Sequence, residues 1–155
     1  MGKSTINRNI KTANLAKELF QKRDFAQFVS LFTRDGTLVF QADSAKIGEV
    51  PIVPFAGTFE GHEGIQEFIK RLGDSTVGGA NLGPIKNILF NCDGDVELAF
   101  TITAQPRCGD KTGPISTNDY VARFHFNKCG QIDLLEICGD VSSITLFFAV
   151  ACLPR

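Results

Sequence analysis

Two short groups of polar residues have the types and the spacing that proton-transfer chemistry requires. Asp119, Arg123 and His125 alternate along a segment of strand-like pattern, so their side chains are expected to share one face. A carboxylate beside an imidazole can move protons near neutral pH, because histidine titrates there. The same pattern is typical of a solvated or partner-facing sheet surface, and the spacing alone leaves both roles open.

The second group, Glu60, His62 and Glu63, stands directly before a helical pattern. It predicts either a carboxylate–imidazole group at the mouth of a pocket or a polar first turn, where acidic side chains suit the helix dipole. We favour the polar first turn. His62 and His125 are the only histidines of the chain, and nothing in the sequence brings them together, so no metal site is predicted.

The cysteines give no sign of a metal site either. There are five of them, at wide spacings and without a C-x-x-C motif, which argues against zinc. The sequence begins with the polar stretch MGKSTINRNIK, which is unlike a secretory signal peptide. We therefore expect a cytoplasmic protein with reduced thiols and without a cofactor.

Charge and composition exclude two classes of partner. Sixteen Lys and Arg residues against seventeen Asp and Glu leave a net charge of −1, without the basic excess that nucleic-acid binding needs. The longest apolar run, 144–153, is roughly half a bilayer span, so no membrane segment is predicted. Fourteen Phe, one Tyr and no Trp indicate a Phe-packed core or an apolar cavity.

The elements that must position these residues follow from the hydrophobic periodicity. Apolar residues at three- and four-residue steps predict helices over 12–20 and 25–32, with Asp24 as the N-cap of the second. A strand is predicted at 37–41 and a third helix at 61–72.

The remainder of the chain is predicted as strands. Alternating patterns place them at 95–105, 118–126 and 131–138, joined by connections at 106–114 and 127–130. Helices followed by a block of antiparallel strands indicate the α+β class, with a curled sheet over the helices and a cleft between them.

Three stretches resemble one known superfamily. Residues 18–40 are similar to its helix–turn–helix–strand opening, 54–69 to its loop and third helix, and 124–132 to its last hairpin. This is the ketosteroid isomerase-like, SnoaL-like and nuclear transport factor 2-like superfamily. The resemblance implies a single domain over 1–155, with a cone-shaped, curved antiparallel sheet wrapped around N-terminal helices (the cystatin-like α+β roll). It implies less about function, because this fold hosts isomerases, cyclases, dehydratases and binding modules.

Steroid isomerase chemistry needs a carboxylate base and two oxyanion donors, a tyrosine and a protonated aspartate. The resemblance places the base at Phe40, the tyrosine at about Ala16 and the aspartate at Ala122. None of these side chains exchanges a proton, so we expect that mechanism to be absent. Ile137 stands where many members carry an inward glutamate, while Asp140 matches the family and is interpreted as an anchor of the chain end.

The same mapping predicts an apolar pocket, because Ala122 pointing inward takes every second residue of its strand inward with it. The predicted ligand-pocket residues are Phe28, Leu38, Phe40, Phe55, Phe100, Asn118, Tyr120, Ala122, Phe124, Leu135 and Ile137. In such a pocket the Asn118 amide and the Tyr120 hydroxyl would orient a mostly apolar guest. The Phe side chains can instead simply fill the core, and the sequence leaves both interpretations open.

The outward face of the sheet is the expected place for a partner. By this mapping Asp119, Arg123 and His125 lie on the convex side, where the resemblance implies a second copy of the domain, so a homodimer is expected. The apolar tail Ser143–Arg155 is expected to pair as an edge strand or to pack across the dimer interface, because left exposed it would favour aggregation. A flap over the pocket is the alternative.

Three functions remain open at this point. The first is binding of an apolar small molecule, such as a polyketide, a terpenoid or a pigment, without chemistry. The second is a SnoaL-like isomerase, cyclase or dehydratase that uses Tyr120 and Asn118, with Asp119 or His125 only if the strand register slips by one residue. The third is a dimeric protein-interaction module that works through its sheet surface.

Overall fold

Helices and strands are interspersed along the computed structural model, which describes residues 2–41, 46–47 and 50–152. The helices are α1 Lys3–Gln21, α2 Phe25–Ser30, α3 Gly61–Asp74 and α4 Ser142–Ala151. The strands are β1 Phe32–Gln41, β2 Lys46–Ile47, β3 Val50–Pro51, β4 Gly57–Glu60, β5 Asn81–Leu82, β6 Asn87–Phe90, β7 Val96–Ala104, β8 Arg107–Cys108, β9 Lys111–Thr112, β10 Ser116–Phe126 and β11 Ile132–Gly139. None of the helices in these described ranges is long and apolar enough to cross a bilayer.

The first two helices form a hairpin, as predicted. α1 buries Ala13, Ala16 and Phe20 along one face, at the three- and four-residue steps of an amphipathic helix. α2 begins after Asp24, whose carboxylate accepts a hydrogen bond from the backbone N–H of Gln27 at 3.4 Å. This bond confirms Asp24 as the N-cap.

The first helix is longer than the periodicity predicts, since it begins at Lys3 rather than at residue 12. Its first half is mostly polar, with Ile6 and Ile10 as its apolar residues, and Ile10 packs against the core. Asn9 is nevertheless only 1% exposed, and its side-chain amide donates a hydrogen bond to the carbonyl oxygen of Gly94 at 2.9 Å. This long-range contact ties the polar half of α1 to the rest of the fold.

The second helix is shorter than predicted, because Phe32 belongs to β1. α2 ends at Ser30, and Phe32 pairs with Ile132 of β11, with both side chains at most 1% exposed. An apolar residue four positions after Phe28 fits a helical stripe, but it fits the start of a buried strand as well. The pairing with β11 decides between the two.

The main sheet is curved and open, with the strand order β4-β1-β11-β10-β7-β5 and with β6 also pairing with β7. β10 runs antiparallel to both β11 and β7, whereas β1 and β11 run parallel. The prediction of a wholly antiparallel sheet is therefore wrong for that one pair. Parallel neighbours need a long connection, and the chain from β2 to β10 supplies it.

The alternation predicted for β10 is confirmed. Tyr120, Ala122 and Phe124 are buried, whereas Val121 and Arg123 are exposed. The buried side of the sheet faces the helices, with α1 packed on β7 and α3 packed on β1. The chain is thus an α+β protein whose curved sheet wraps around its N-terminal helices.

Of the alternatives expected for the tail 143–155, the edge strand is wrong: Ser142–Ala151 form a helix, and residues 153–155 lie outside the described part of the chain. α4 buries Ile144 and Phe148, and the ring centroid of Phe148 lies 6.3 Å from that of Phe55. Leu146, on another side of the helix, is exposed. A short segment that is apolar at nearly every position shows neither the helical nor the strand periodicity, so its sequence does not distinguish a helix from a strand.

Asp140 holds the beginning of this helix. Its Oδ1 atom accepts one hydrogen bond from the backbone N–H of Ser142 at 3.0 Å and another from the Ser142 hydroxyl at 2.6 Å. These two bonds favour the ionised carboxylate and so lower the pKa of Asp140. Its interpretation as an anchor of the chain end therefore agrees with the structure.

Cys108 and Cys152 form a disulfide, so the expectation of reduced thiols is wrong for this pair. Cys108 lies in β8, and Cys152 directly follows α4. Their Cα atoms are 5.8 Å apart, within the usual range for a disulfide, although 44 positions separate them in the sequence. The packing of α4 against the core, through Ile144 and Phe148, brings the two cysteines together.

Removing this cross-link should destabilise the protein. For the double variant Cys108→Ser/Cys152→Ser we expect the free energy of unfolding to fall by about 3–4 kcal/mol, because the unfolded chain gains the freedom of an open loop. Chemical denaturation followed by circular dichroism measures the change. The exposed Cys129→Ser serves as the control and should match the parent chain. Detection of all five cysteines as reactive thiols in the unfolded, unreduced protein would contradict the disulfide.

Candidate functional site

An internal cavity of about 70 Å³ lies between the curved sheet and the helices. A water molecule needs about 10–15 Å³ on this scale, so the space exceeds a single water several-fold. Ten residues of the predicted pocket line it: Phe28, Leu38, Phe40, Phe55, Phe100, Tyr120, Ala122, Phe124, Leu135 and Ile137. They come from α2, β1, β7, β10, β11 and the loop before β4. The core is therefore not completely filled.

Asn118 is the one predicted pocket residue that the cavity does not include. It points to the same side of β10 as Tyr120, but it is half-buried and pairs with Ile102 nearer the end of the sheet. The inward face of a strand is thus longer than the cavity beneath it. The two-residue period of a strand predicts which side chains of β10 point inward. The packing of the helices then determines which of these inward side chains line the cavity.

The three positions that correspond to the steroid isomerase groups all face this cavity. Ala16, Phe40 and Ala122 line it, and each is at most 5% exposed. The structure therefore brings these positions together as the mapping expects, and it places methyl groups and an aromatic ring there. None of the three side chains can act as a base or as a hydrogen-bond donor.

Aromatic rings make up much of the cavity wall. The centroid of the Phe40 ring lies 5.2 Å from that of Phe55, 6.1 Å from that of Phe68 and 6.0 Å from that of Tyr120. Such separations are favourable for ring pairs and add to the burial of apolar surface. Phe68 and Leu72 of α3 and Ile144 of α4 complete parts of the lining that the sequence did not predict.

Tyr120 carries the one neutral polar side chain in the lining. It is 3% exposed, and burial, with a smaller contribution from the negative charge of Asp140, raises the pKa of Tyr120 to about 12. The phenol is therefore fully protonated at neutral pH, where it is able to donate a hydrogen bond. Its ring packs directly on Gly139, where a Cβ atom would come within 2.3 Å of a ring carbon.

Lys17 is a further lining residue that the sequence analysis did not predict, and it is the one charged side chain among the lining residues described. Its Nζ atom lies 5.3 Å from the centroid of the Phe100 ring, a cation–π contact. Partial burial lowers the pKa of Lys17. The sequence contained a signal for this position, because Lys17 directly follows Ala16, which the mapping placed in the pocket. The aliphatic part of a lysine side chain readily lies along an apolar surface.

The group Asp119, Arg123 and His125 lies on the opposite face of the sheet. Nδ1 of His125 is 3.0 Å from a carboxylate oxygen of Asp95, and its Nε2 is 3.3 Å from one of Glu136. Arg123 donates to Glu97 at 2.6 Å, and Lys86 pairs with Asp119 at 2.8 Å. Because Ala122 pairs with Ile137 and Leu98, the one-residue slip that would turn these residues toward the cavity does not occur.

The group before α3 also stands apart from the cavity. Nε2 of His62 lies 3.0 Å from the carbonyl oxygen of Phe32, and Glu63 occupies the first turn of the helix. The polar first turn is thus the arrangement observed. In the described part of the chain no cluster of His, Cys, Asp and Glu side chains could hold a metal ion.

Together, the open curved sheet, the helices beneath it and the apolar cavity between them define an α+β roll whose candidate site is this cavity. No family model and no curated protein matches the sequence.

Solved structures match the chain over nearly its whole length. An NTF2-like protein of unknown function from Burkholderia pseudomallei is 15% identical, with a TM-score of 0.75 over 92% of this chain and 98% of that one. TerC, solved with polyporic acid, is 21% identical, with a TM-score of 0.68 and the same coverage. A candidate polyketide cyclase from Xanthomonas campestris is 15% identical, with a TM-score of 0.71 over 93% and 98%. The chain therefore has the nuclear transport factor 2-like fold that SnoaL-like proteins share.

The single tyrosine makes its environment directly measurable. Because the chain has one Tyr and no Trp, the ultraviolet absorbance of tyrosinate reports on Tyr120 alone. We expect a midpoint near pH 12 in the folded protein and the ordinary value of about 10 in denaturant. Because the folded state favours the neutral phenol, ionisation of Tyr120 lowers the free energy of unfolding. The folded protein therefore has its full stability from this group below pH 10 and loses it as the pH rises toward 12. A folded-state midpoint near 10 would mean that the phenol is solvated.

Proposed function

We propose that the protein binds an apolar small molecule in the cavity between the sheet and the helices. The observation that carries this proposal is the cavity wall, which consists of aliphatic and aromatic side chains apart from Tyr120 and Lys17. An apolar cavity attracts apolar guests because water gains too few hydrogen bonds there. A few polar groups in a mostly apolar wall are the usual composition of a small-molecule site.

The size of the space limits what binds without rearrangement. About 70 Å³ is room for a compact apolar group, so a guest of polyketide or terpenoid size must displace lining side chains. An outward shift of α4 would enlarge the space, because Ile144 of this helix lines the cavity, and the Cys108–Cys152 disulfide would hold the C-terminal end of the helix in place. The proposal therefore includes an outward shift of α4 when a large guest enters.

Binding without catalysis is the form of the proposal that the chemistry supports. The positions of the isomerase base and oxyanion donors are apolar, and the acidic and imidazole groups of the convex face are on the wrong side of the sheet. Tyr120 has a pKa of about 12, which makes it a poor base at neutral pH. An isomerase, cyclase or dehydratase acting on a polyketide- or terpenoid-like substrate would have to rely on hydrogen bonding by this one phenol and on Lys17.

Filling the cavity should abolish binding. Nile red, a neutral apolar fluorophore, is expected to bind the parent chain saturably at one site per chain. In Ala122→Leu the larger side chain occupies the cavity, and we expect at least a tenfold loss of Nile red affinity by fluorescence titration. Val121→Leu is the matched control, one residue away on the opposite face of β10, and should bind as the parent chain does.

Two results would count against the cavity as the binding site. Equal affinity of the two variants would place Nile red on the protein surface, and the absence of saturable binding to the parent chain would refute the cavity proposal outright. Thermal melting of both variants checks folding, since an added buried methylene group costs about 1–3 kcal/mol in a tightly packed core and less beside open space. A co-purified apolar compound in native mass spectrometry would identify the natural guest.

We further propose that the convex face binds a second copy of the chain. Leu89 and Val121 are exposed there, 54% and 36% respectively, beside the Arg123–Glu97 ion pair. Leu89 pairs with Glu97, and Glu97 pairs with Arg123, so these side chains form one continuous surface. An apolar centre with charged groups around it suits a self-complementary interface.

A charge at the centre of that surface should separate the two copies. We expect the parent chain to have twice the monomer mass by light scattering after gel filtration and Val121→Arg to have the monomer mass, because the buried guanidinium would lack a partner. Leu146→Arg, at an exposed apolar position on α4, is the control and should remain dimeric. A monomeric parent chain, or a dimeric Val121→Arg variant, would refute this interface.

A further inference from the structure

The cavity approaches the protein surface between α1 and the β5–β7 edge of the sheet. Apart from Ile137, the lining residues that are half-buried rather than buried are Lys17, Leu82 and Ile102. Leu82 and Ile102 are paired neighbours on β5 and β7, and Lys17 lies over Phe100, two residues before Ile102. These three side chains therefore mark one rim of the cavity.

The neighbouring polar groups at this rim are already occupied. The side-chain oxygen of Gln21 accepts a hydrogen bond from the backbone N–H of Leu82 at 2.7 Å. Glu18, the acidic residue next to Lys17 in sequence, pairs with Lys22 at 2.6 Å. Each of these contacts occupies a polar atom of a residue that is close to Lys17 in sequence.

Lys17 itself has no carboxylate partner among the described residues, and its ammonium group lies over the ring of Phe100. A cation–π contact at a partly exposed site is weak compared with an ion pair of the same ammonium group with a desolvated carboxylate. Partial burial already disfavours the charged form of this lysine, so its pKa is lowered. The rim thus holds a cation whose environment lacks a counter-ion.

We propose that the ligand of this cavity is an amphipathic acid, whose anionic group pairs with Lys17 at the rim while its apolar body enters the cavity. This inference rests on the proposed function and specifies the ligand class. A carboxylate, or an acidic enol or phenol, presents oxygen atoms to an ammonium group without needing a second protein partner. Lys17 thereby sets both the charge preference of the site and the orientation of the guest.

Octanoate and 1-octanol form the probe pair that isolates the charge, because they share an apolar chain and differ in the head group. Displacement of Nile red from the parent chain measures the affinity of each. We expect octanoate to bind at least tenfold more tightly than octanol at pH 7. Raising the salt concentration should weaken octanoate binding and leave octanol binding unchanged.

Two lysine variants separate a specific role from a general effect of charge. Lys17→Met keeps the length and the apolar stem of the side chain, and we expect it to lose about tenfold in octanoate affinity while octanol affinity is retained. Lys11→Met removes an exposed charge from the same helix and should bind both probes as the parent chain does. Melting temperatures confirm that both variants are folded.

The outcomes distinguish this inference from the one it rests on. The role of the Lys17 charge is refuted if octanoate binds no more tightly than octanol, or if Lys17→Met weakens the binding of octanoate and octanol equally. The cavity proposal stands in both cases as long as Nile red and octanol bind. If Lys11→Met weakens octanoate as much as Lys17→Met does, the preference comes from the overall charge and the role of Lys17 is refuted. If none of the three probes binds the parent chain, the cavity proposal fails and the ligand class fails with it.

Discussion

The register of β10 between β7 and β11 is the constraint on which the candidate site depends. Ala122 stands opposite Leu98 on one side and Ile137 on the other, and this pairing turns Tyr120 and Phe124 inward as well. A shift by one residue would bring Arg123 and His125 into an apolar interior, where unpaired charges are strongly unfavourable. The buried face therefore enforces the register, and the register in turn determines the chemistry of the cavity wall.

The absence of proton-transfer groups at three positions and the apolar character of the cavity have the same cause, because the side chains at those positions form part of the cavity wall. Ala16, Phe40 and Ala122 come from α1, β1 and β10, yet they line the same space. An ionised carboxylate in this wall would be desolvated without a partner, whereas alanine and phenylalanine are stabilised by the same burial. The polar side chains among the described lining residues are the buried phenol of Tyr120 and the ammonium group of Lys17, and the proposed function assigns both of them to orienting a guest.

The C-terminal helix covers one side of the cavity through Ile144. Ile144 and Phe148 of α4 pack toward the aromatic cluster around Phe55, and the disulfide from Cys152 to Cys108 fastens the end of the helix to the β8–β9 hairpin. The cross-link therefore connects α4 to a two-stranded hairpin that is separate from the main sheet. The covering of this side of the cavity therefore depends on the last dozen described residues.

Local patterns in the sequence were sufficient for the features that depend on neighbours along the chain. Period-two alternation identified the inner face of β10, helical steps and the Asp24 N-cap identified the α1–α2 hairpin, and three motifs in order indicated the fold. Three features were decided by tertiary structure alone: the parallel pairing of β1 with β11, the helical form of the tail and the Cys108–Cys152 disulfide. Each of them depends on contacts between segments that are distant in sequence, and such contacts have no signature in the local hydrophobic period.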